Sequence, residues 1–223
     1  MNLTKIATAL VAILAMSAVV ASGASANQLT SPGNNNVVLV TEDFGNHVFT
    51  VDGQSLTCKK TSGESGTIAV PANTITGLKT SASECSAFGF AGSIVNMGNC
   101  HTDFTTPTKL QTDEYTSQMM IICDQTSGSA NNVITVNSSV FGSECSISIG
   151  QTGNEALNHV IIHNTTNNAP RDLTLTTKVT GIRVVKNKDN GLCPLSGTGT
   201  VNNGTLNGEA TVREKAGKDI SIE

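Results

Sequence analysis

The chain has 223 residues with 13 basic and 17 acidic side chains, a formal charge of −4, and only 3% aromatic residues with no tryptophan. A protein that neutralises phosphates needs a basic stripe, and this one has neither the sign nor the clustering, which excludes nucleic acid as an expected partner. The scarcity of aromatic rings argues equally against a sugar-stacking groove and against a platform that stacks single-stranded bases.

The chain opens MNLTKIATALVAILAMSAVVASGASANQ, with one lysine, an apolar run from Ile6 to Ala21 and then Ala24-Ser25-Ala26. That order is the pattern of a secretory signal peptide with an A-x-A cleavage site. The expected organisation is a signal peptide over 1–26 and a secreted all-β domain over 27–223, its core at about 46–213. The apolar run is short and has no basic flank to stop transfer, so no membrane span is expected in the mature form.

Beyond the leader, the sequence is rich in Thr, Ser, Asn, Gly, Val and Ile and poor in the Leu, Glu, Lys and Ala from which helices are built. Short β-branched runs alternate with Gly, Asn, Ser and Pro at spacings of roughly ten residues, which predicts an antiparallel sandwich or barrel. Strands are expected at 36–41, 46–51, 55–60, 66–70, 74–80, 91–97, 100–105, 118–123, 132–136, 144–149, 158–163, 172–186, 198–202 and 205–213. Segments 28–35 and 187–191 read as loops, and GESG at 63–66 as a hairpin turn. In DLTLTTKVTGIRVV the inward face of Leu173, Leu175, Thr177 and Val179 must change register at Gly181, the mark of a bulge or bend.

Six cysteines follow the leader, at 58, 85, 100, 123, 145 and 193, an even number in an exported chain, so disulfides are their expected state. The absence of C-x-x-C argues against both a zinc site and a thiol-disulfide oxidoreductase. Strand register selects one pair. If 100–105 and 118–123 form an antiparallel hairpin in which Phe104 faces Met119 and Thr102 faces Ile121, Cys100 falls opposite Cys123, within disulfide reach. Proximity along the chain then pairs Cys58 with Cys85 and Cys145 with Cys193.

The remaining chemistry-bearing residues do not assemble into a motif. HVIIH places His159 and His163 at i, i+4, yet on a strand that is a separation of roughly 13 Å, too far to share an ion. His47 and His101 have no ligand-spaced neighbour, and Glu64, Asp103 and Glu144 are isolated acids. NKDNG at 187–191 lacks the alternating ligands of a calcium loop. Asn137, Asn164 and Asn203 sit in N-x-S/T sequons, which matter only in a host that glycosylates them. The sequence therefore assigns no catalytic, cofactor-binding or metal-ligating residue, and the expected partner is an unidentified ligand or cell-envelope component.

Several ordered features together resemble a group of uncharacterised secreted proteins of actinobacteria, particularly Thermoleophilia. They are C-x-A-F-G and N-M-x-x-C between Cys85 and Cys100, I-x-C at Cys123, C-x-I-x-I from Cys145 to Ile149, V-T-G-I from Val179 to Ile182, and G-x-C-P from Gly191 to Pro194. His101 and Arg183 stand where that group usually carries aromatic residues. The resemblance implies a secreted all-β domain and brings no established activity. On these grounds the expected function is a non-catalytic binding or structural domain outside the cell, with an enzyme assembled from distant residues as the alternative.

Overall fold

A computed structural model describes residues 26–43, 46–123, 133–150, 157–166 and 169–223. The expected signal peptide, except for Ala26, and the side chain of His159 lie outside the described residues. In chain order the strands are β1 (Leu29–Thr30), β2 (Asn36–Asp43), β3 (His47–Val51), β4 (Gln54–Ala69), β5 (Ile75–Ala87), β6 (Phe90–Asn96), β7 (Cys100–Phe104) and β8 (Thr108–Gln111). They continue as β9 (Glu114–Cys123), β10 (Ile134–Ser138), β11 (Gly142–Ile149), β12 (Leu157–Asn164), β13 (Leu173–Lys188), β14 (Gly199–Glu214) and β15 (Ser221–Ile222).

Every pairing is antiparallel, and the ladder closes on itself. β2 and β3 both lie between β4 and β14, so the two together make one long stave. In the same way β6 with β7, β9 with β10, and β11 with β12 are two-part staves. The four single strands β4, β5, β13 and β14 complete a ring of eight, running up and down in chain order. This is a barrel, which resolves the sandwich-or-barrel choice. Closure removes the sheet edges around the ring of eight, and β8, which pairs with β9, lies off it.

The wall is dry inside and wet outside. Leu56 and Cys58, Val37 and Leu39, and Leu173 and Leu175 are buried, while alternate residues such as Thr57, Lys178 and Arg213 meet water or its margin. That alternation is the period of a half-buried strand. It also runs opposite to the polarity of a barrel that spans lipid. No helix among the described residues is long and apolar enough to cross a membrane.

Halfway along the barrel the alternation breaks on every single-strand stave. Two successive residues turn outward there: Lys59 and Lys60 on β4, Ser83 and Glu84 on β5, Thr180 and Gly181 on β13, Asn202 and Asn203 on β14. The switch requires left-handed backbone at two of these sites, with φ of 52° at Glu84 and 79° at Gly181. Gly181 is where the sequence places the change, and the β13–β14 register shifts there. The divided staves break between their two parts. The barrel is thus two half-barrels joined at a belt.

Glycine sets how closely the wall approaches itself beside the belt. A Cβ on Gly204 would lie 2.8 Å from the Ile182 carbonyl oxygen and 3.0 Å from the Phe49 ring. The Phe49 side chain fills the space that Gly204 leaves, as aromatic residues do across from strand glycines.

Three disulfides join Cys58–Cys85, Cys100–Cys123 and Cys145–Cys193. The β7–β9 ladder sets Cys100 against Cys123, Thr102 against Ile121 and Phe104 against Met119, the alignment argued from the sequence. Two of the bridges flank the belt. Cys58 immediately precedes Lys59, Cys85 immediately follows Glu84, Cys100 opens β7 and Cys123 closes β9. The third ties β11 to the loop after β13 at the barrel's upper end.

Some expectations are corrected. GESG is not a turn but lies within β4, where Gly63 and Glu64 pair with Thr80 and Lys79, and 55–60 and 66–70 are parts of that one strand. Likewise 198–202 and 205–213 are one strand, β14. The expected loop at 28–35 contains β1, which pairs with β15 across the lower end. Leu29, Ile220 and Ile222 are buried there, so the core reaches beyond 46–213 at both ends. β13 runs on to Lys188, which confines the NKDNG turn to its last residues.

Candidate functional site

The belt has a consequence for packing. Where two successive side chains on one strand both point outward, the interior at that level loses the side chain it would have received. A cavity of about 200 Å³ lies there. Cys58 and Thr61 line it from either side of Lys59 and Lys60, Ala82 just before Ser83, and Ile182 just after Gly181. The opposite wall is Phe104, Met119 and Ile121 below with Val136 and Ile149 above.

An eight-stranded ring has an interior that side chains just fill or that holds one small ligand. Here the belt leaves the second condition. The lining is mostly methyl, thioether and ring, interrupted by the threonines 41, 61, 80, 102 and 177, by Ser81, whose hydroxyl bonds Ser62, and by His47. None of the lining residues is Asp, Glu, Lys or Arg. The His47 ring lies over Gly208, where a Cβ would come within 2.4 Å of Nδ1. A side chain at 208 would therefore displace the one imidazole facing the cavity.

The other candidates from the sequence are dispersed. His101 is on β7 with Asp103 at 3.5 Å, and Asp103 also accepts a hydrogen bond from the Gly77 amide at 2.7 Å, pinning the bulge in β5. His163 stands 3.7 Å from Glu114 on the neighbouring stave. Glu64 pairs with Lys215 at 2.7 Å, and Glu144 accepts from Asn190. Among the described residues no three His, Cys, Asp or Glu side chains gather as metal ligands would. Asn164, one of the sequon residues, is committed elsewhere: its side chain exchanges two hydrogen bonds with the Ile222 backbone and holds β15 in place.

Sequence reading missed a charged cluster at the upper end. Asp52, on the β3–β4 turn, accepts hydrogen bonds from Lys186, from Ser196 Oγ at 2.5 Å and from Asn203 Nδ2 at 2.7 Å. Lys186 is 7% exposed and also donates to Ser196 at 2.8 Å. The lysine hydrogen bond first, then those of Ser196 and Asn203, hold the Asp52 carboxyl far below the usual carboxylate range. The cluster fastens four chain segments, the β3–β4 turn, β13, the loop after it and β14. The four residues are far apart in sequence, and only Asp52-Gly53, a two-residue hairpin turn with φ of 49° and 74°, was visible as a local signal.

At the lower end Asp172 is 5% exposed. Its Oδ2 accepts from Arg213 Nε at 3.2 Å, while Oδ1 has no hydrogen-bond partner among the described residues. Burial pushes this carboxyl up, with Arg213 opposing. A folded-state pKa above the unfolded one means that the group's contribution is fully present below the unfolded pKa and is lost as pH rises through the folded pKa. At neutral pH the charge therefore costs stability. Asp172→Asn should raise the unfolding temperature at about pH 7, by on the order of 1 kcal/mol in stability, and the gain should vanish as pH falls through the carboxylate range. Thermal unfolding of both proteins across that range checks it, and a gain that grows on acidification would contradict the assignment.

No protein-family model matches the chain, and neither a curated protein nor a solved structure matches it.

Proposed function

We propose that the protein is an exported, non-catalytic binding domain that carries a small apolar molecule in the belt of its barrel. The leader pattern over residues 1–26 supports export, and three disulfides suit an oxidising compartment. The ordered cysteine motifs support placing it with the secreted actinobacterial all-β proteins that it resembles.

The observation that carries the reading is the cavity itself: largely apolar, inside the ring of strands, and located where the strands give up inward side chains. A wall that offers one imidazole and no carboxylate supports binding over chemistry, because acid–base catalysis needs groups placed to give and take protons. Toluene tests this. It should bind saturably at one molecule per chain by calorimetry, with a negative heat-capacity change, and raise the unfolding temperature with concentration. Ala210→Leu, which fills the cavity from β14, should abolish the effect. Absence of saturable binding in the parent protein, or undiminished binding in the filled variant, would overturn the reading.

A further inference from the structure

We infer that the cavity selects a small neutral molecule with one hydroxyl or carbonyl oxygen on an otherwise apolar frame. This deepens the binding reading above and rests on it.

Size sets the first limit. An apolar cavity of roughly 150 Å³ accommodates benzene, and this one is about 200 Å³. The ligand is then a compact molecule of roughly seven to ten heavy atoms. Charge sets the second. With no Asp, Glu, Lys or Arg on the wall, an ionised ligand would surrender its hydration with nothing to replace it.

The oxygen is argued from the threonines. Thr41, Thr80, Thr102 and Thr177 line the cavity, and none of them makes a side-chain hydrogen bond among the described residues. Each interrupts a run of apolar inward residues: Thr41 follows Val37 and Leu39, Thr80 follows Ile75 and Leu78, Thr102 lies between Cys100 and Phe104, and Thr177 lies between Leu175 and Val179. Valine has the same shape and would fill these positions without desolvating a hydroxyl, so a purely apolar site gains nothing from threonine.

Two of the four converge. A Cβ on Gly63 would lie 2.6 Å from Thr41 Oγ1 and 3.2 Å from Thr80 Cγ2. The missing side chain of Gly63 thus lets the two threonines close over β4 from either side. Thr41 is buried as a residue, at 8% exposure. A hydroxyl both donates and accepts, and serves an alcohol or a carbonyl equally well.

Phenol and toluene have nearly the same shape and differ in the oxygen, and benzoate adds a charge. In the parent protein phenol should bind within about tenfold of toluene despite its greater cost of leaving water, and benzoate at about pH 8 should not compete. Thr41→Val with Thr80→Val should weaken phenol by about tenfold, the worth of one or two hydrogen bonds, and leave toluene unchanged or tighter. Toluene binding also reports that the variant is folded. Should it not fold, Thr102→Val with Thr177→Val makes the same comparison. Equal shifts for phenol and toluene, or competition by benzoate as strong as by phenol, would overturn the inference and leave the binding reading standing. Failure of toluene to bind the parent protein removes both.

Discussion

Replacing Cys58 and Cys85 together by alanine should lower the unfolding free energy by about 3 kcal/mol, as should the same change at Cys100 and Cys123. The chain segments these bridges close span 27 and 23 residues, and cross-links closing loops of that size remove about 3 kcal/mol of denatured-state entropy. For a domain of this size the corresponding fall in unfolding temperature is roughly 6 to 12 °C. The belt bridges have a second effect that the upper one lacks. They stand at the level where the strands switch face and where a one-residue slip would exchange inward for outward side chains. Loss of either should therefore weaken toluene binding as well as stability. Removing Cys145–Cys193, a bridge at the upper end that closes a 48-residue segment, should cost comparable stability and leave toluene affinity intact. Denaturant unfolding and calorimetric titration of the three double variants separate the cases. Unchanged toluene affinity without Cys58–Cys85 would show that the belt keeps its register unaided.

The parts of this fold legible in the sequence are those governed by local pattern. Alternation along CSISIG and DLTLTTKVTGIRVV gives strands, and Gly181 marks the face switch because a left-handed residue in an otherwise β-branched run has little other use. The Cys100–Cys123 register follows from matching two apolar faces. The misreadings have a shared physical origin. GESG contains the small and polar residues of a turn, yet in β4 they face Thr80 and Lys79 in a continuous ladder, because tertiary pairing on both sides outweighs local propensity. The switch at Glu84 gives no local signal, since glutamate rarely takes positive φ, and its ion-pair partner on the neighbouring strand, Lys60, is unremarkable as a sequence. The cavity was illegible for the same reason: it arises from coincident switches on staves far apart in the chain. The individual threonines that line it look like ordinary strand residues until closure of the barrel turns them inward together.

The Asp52 cluster makes the last prediction, and it depends on which partner is removed. Asp52→Ala leaves the Lys186 ammonium 7% exposed with Ser196 as its remaining hydrogen-bond acceptor among the cluster residues. Lys186→Met instead removes the buried cation and replaces it with an apolar chain of similar length, while Asp52 keeps Ser196 and Asn203 as donors. An uncompensated buried charge costs more than an apolar replacement of an ion pair, so Asp52→Ala should lower the unfolding temperature by several degrees and Lys186→Met by clearly less. The double variant should be more stable than Asp52→Ala alone. The pH dependence has a definite sign. A carboxyl whose folded pKa lies below its unfolded value contributes stability that is present above the unfolded pKa and is lost as pH falls through the folded one. The difference between the parent protein and Asp52→Ala should hold constant from neutral pH down to about pH 4 and shrink in stronger acid, opposite in sense to the Asp172 effect at the other end of the barrel. Melting curves of the four proteins from neutral to acid pH test both statements, and a loss on Lys186→Met equal to that on Asp52→Ala would show that the pair is valued for attraction and not for sparing a stranded charge.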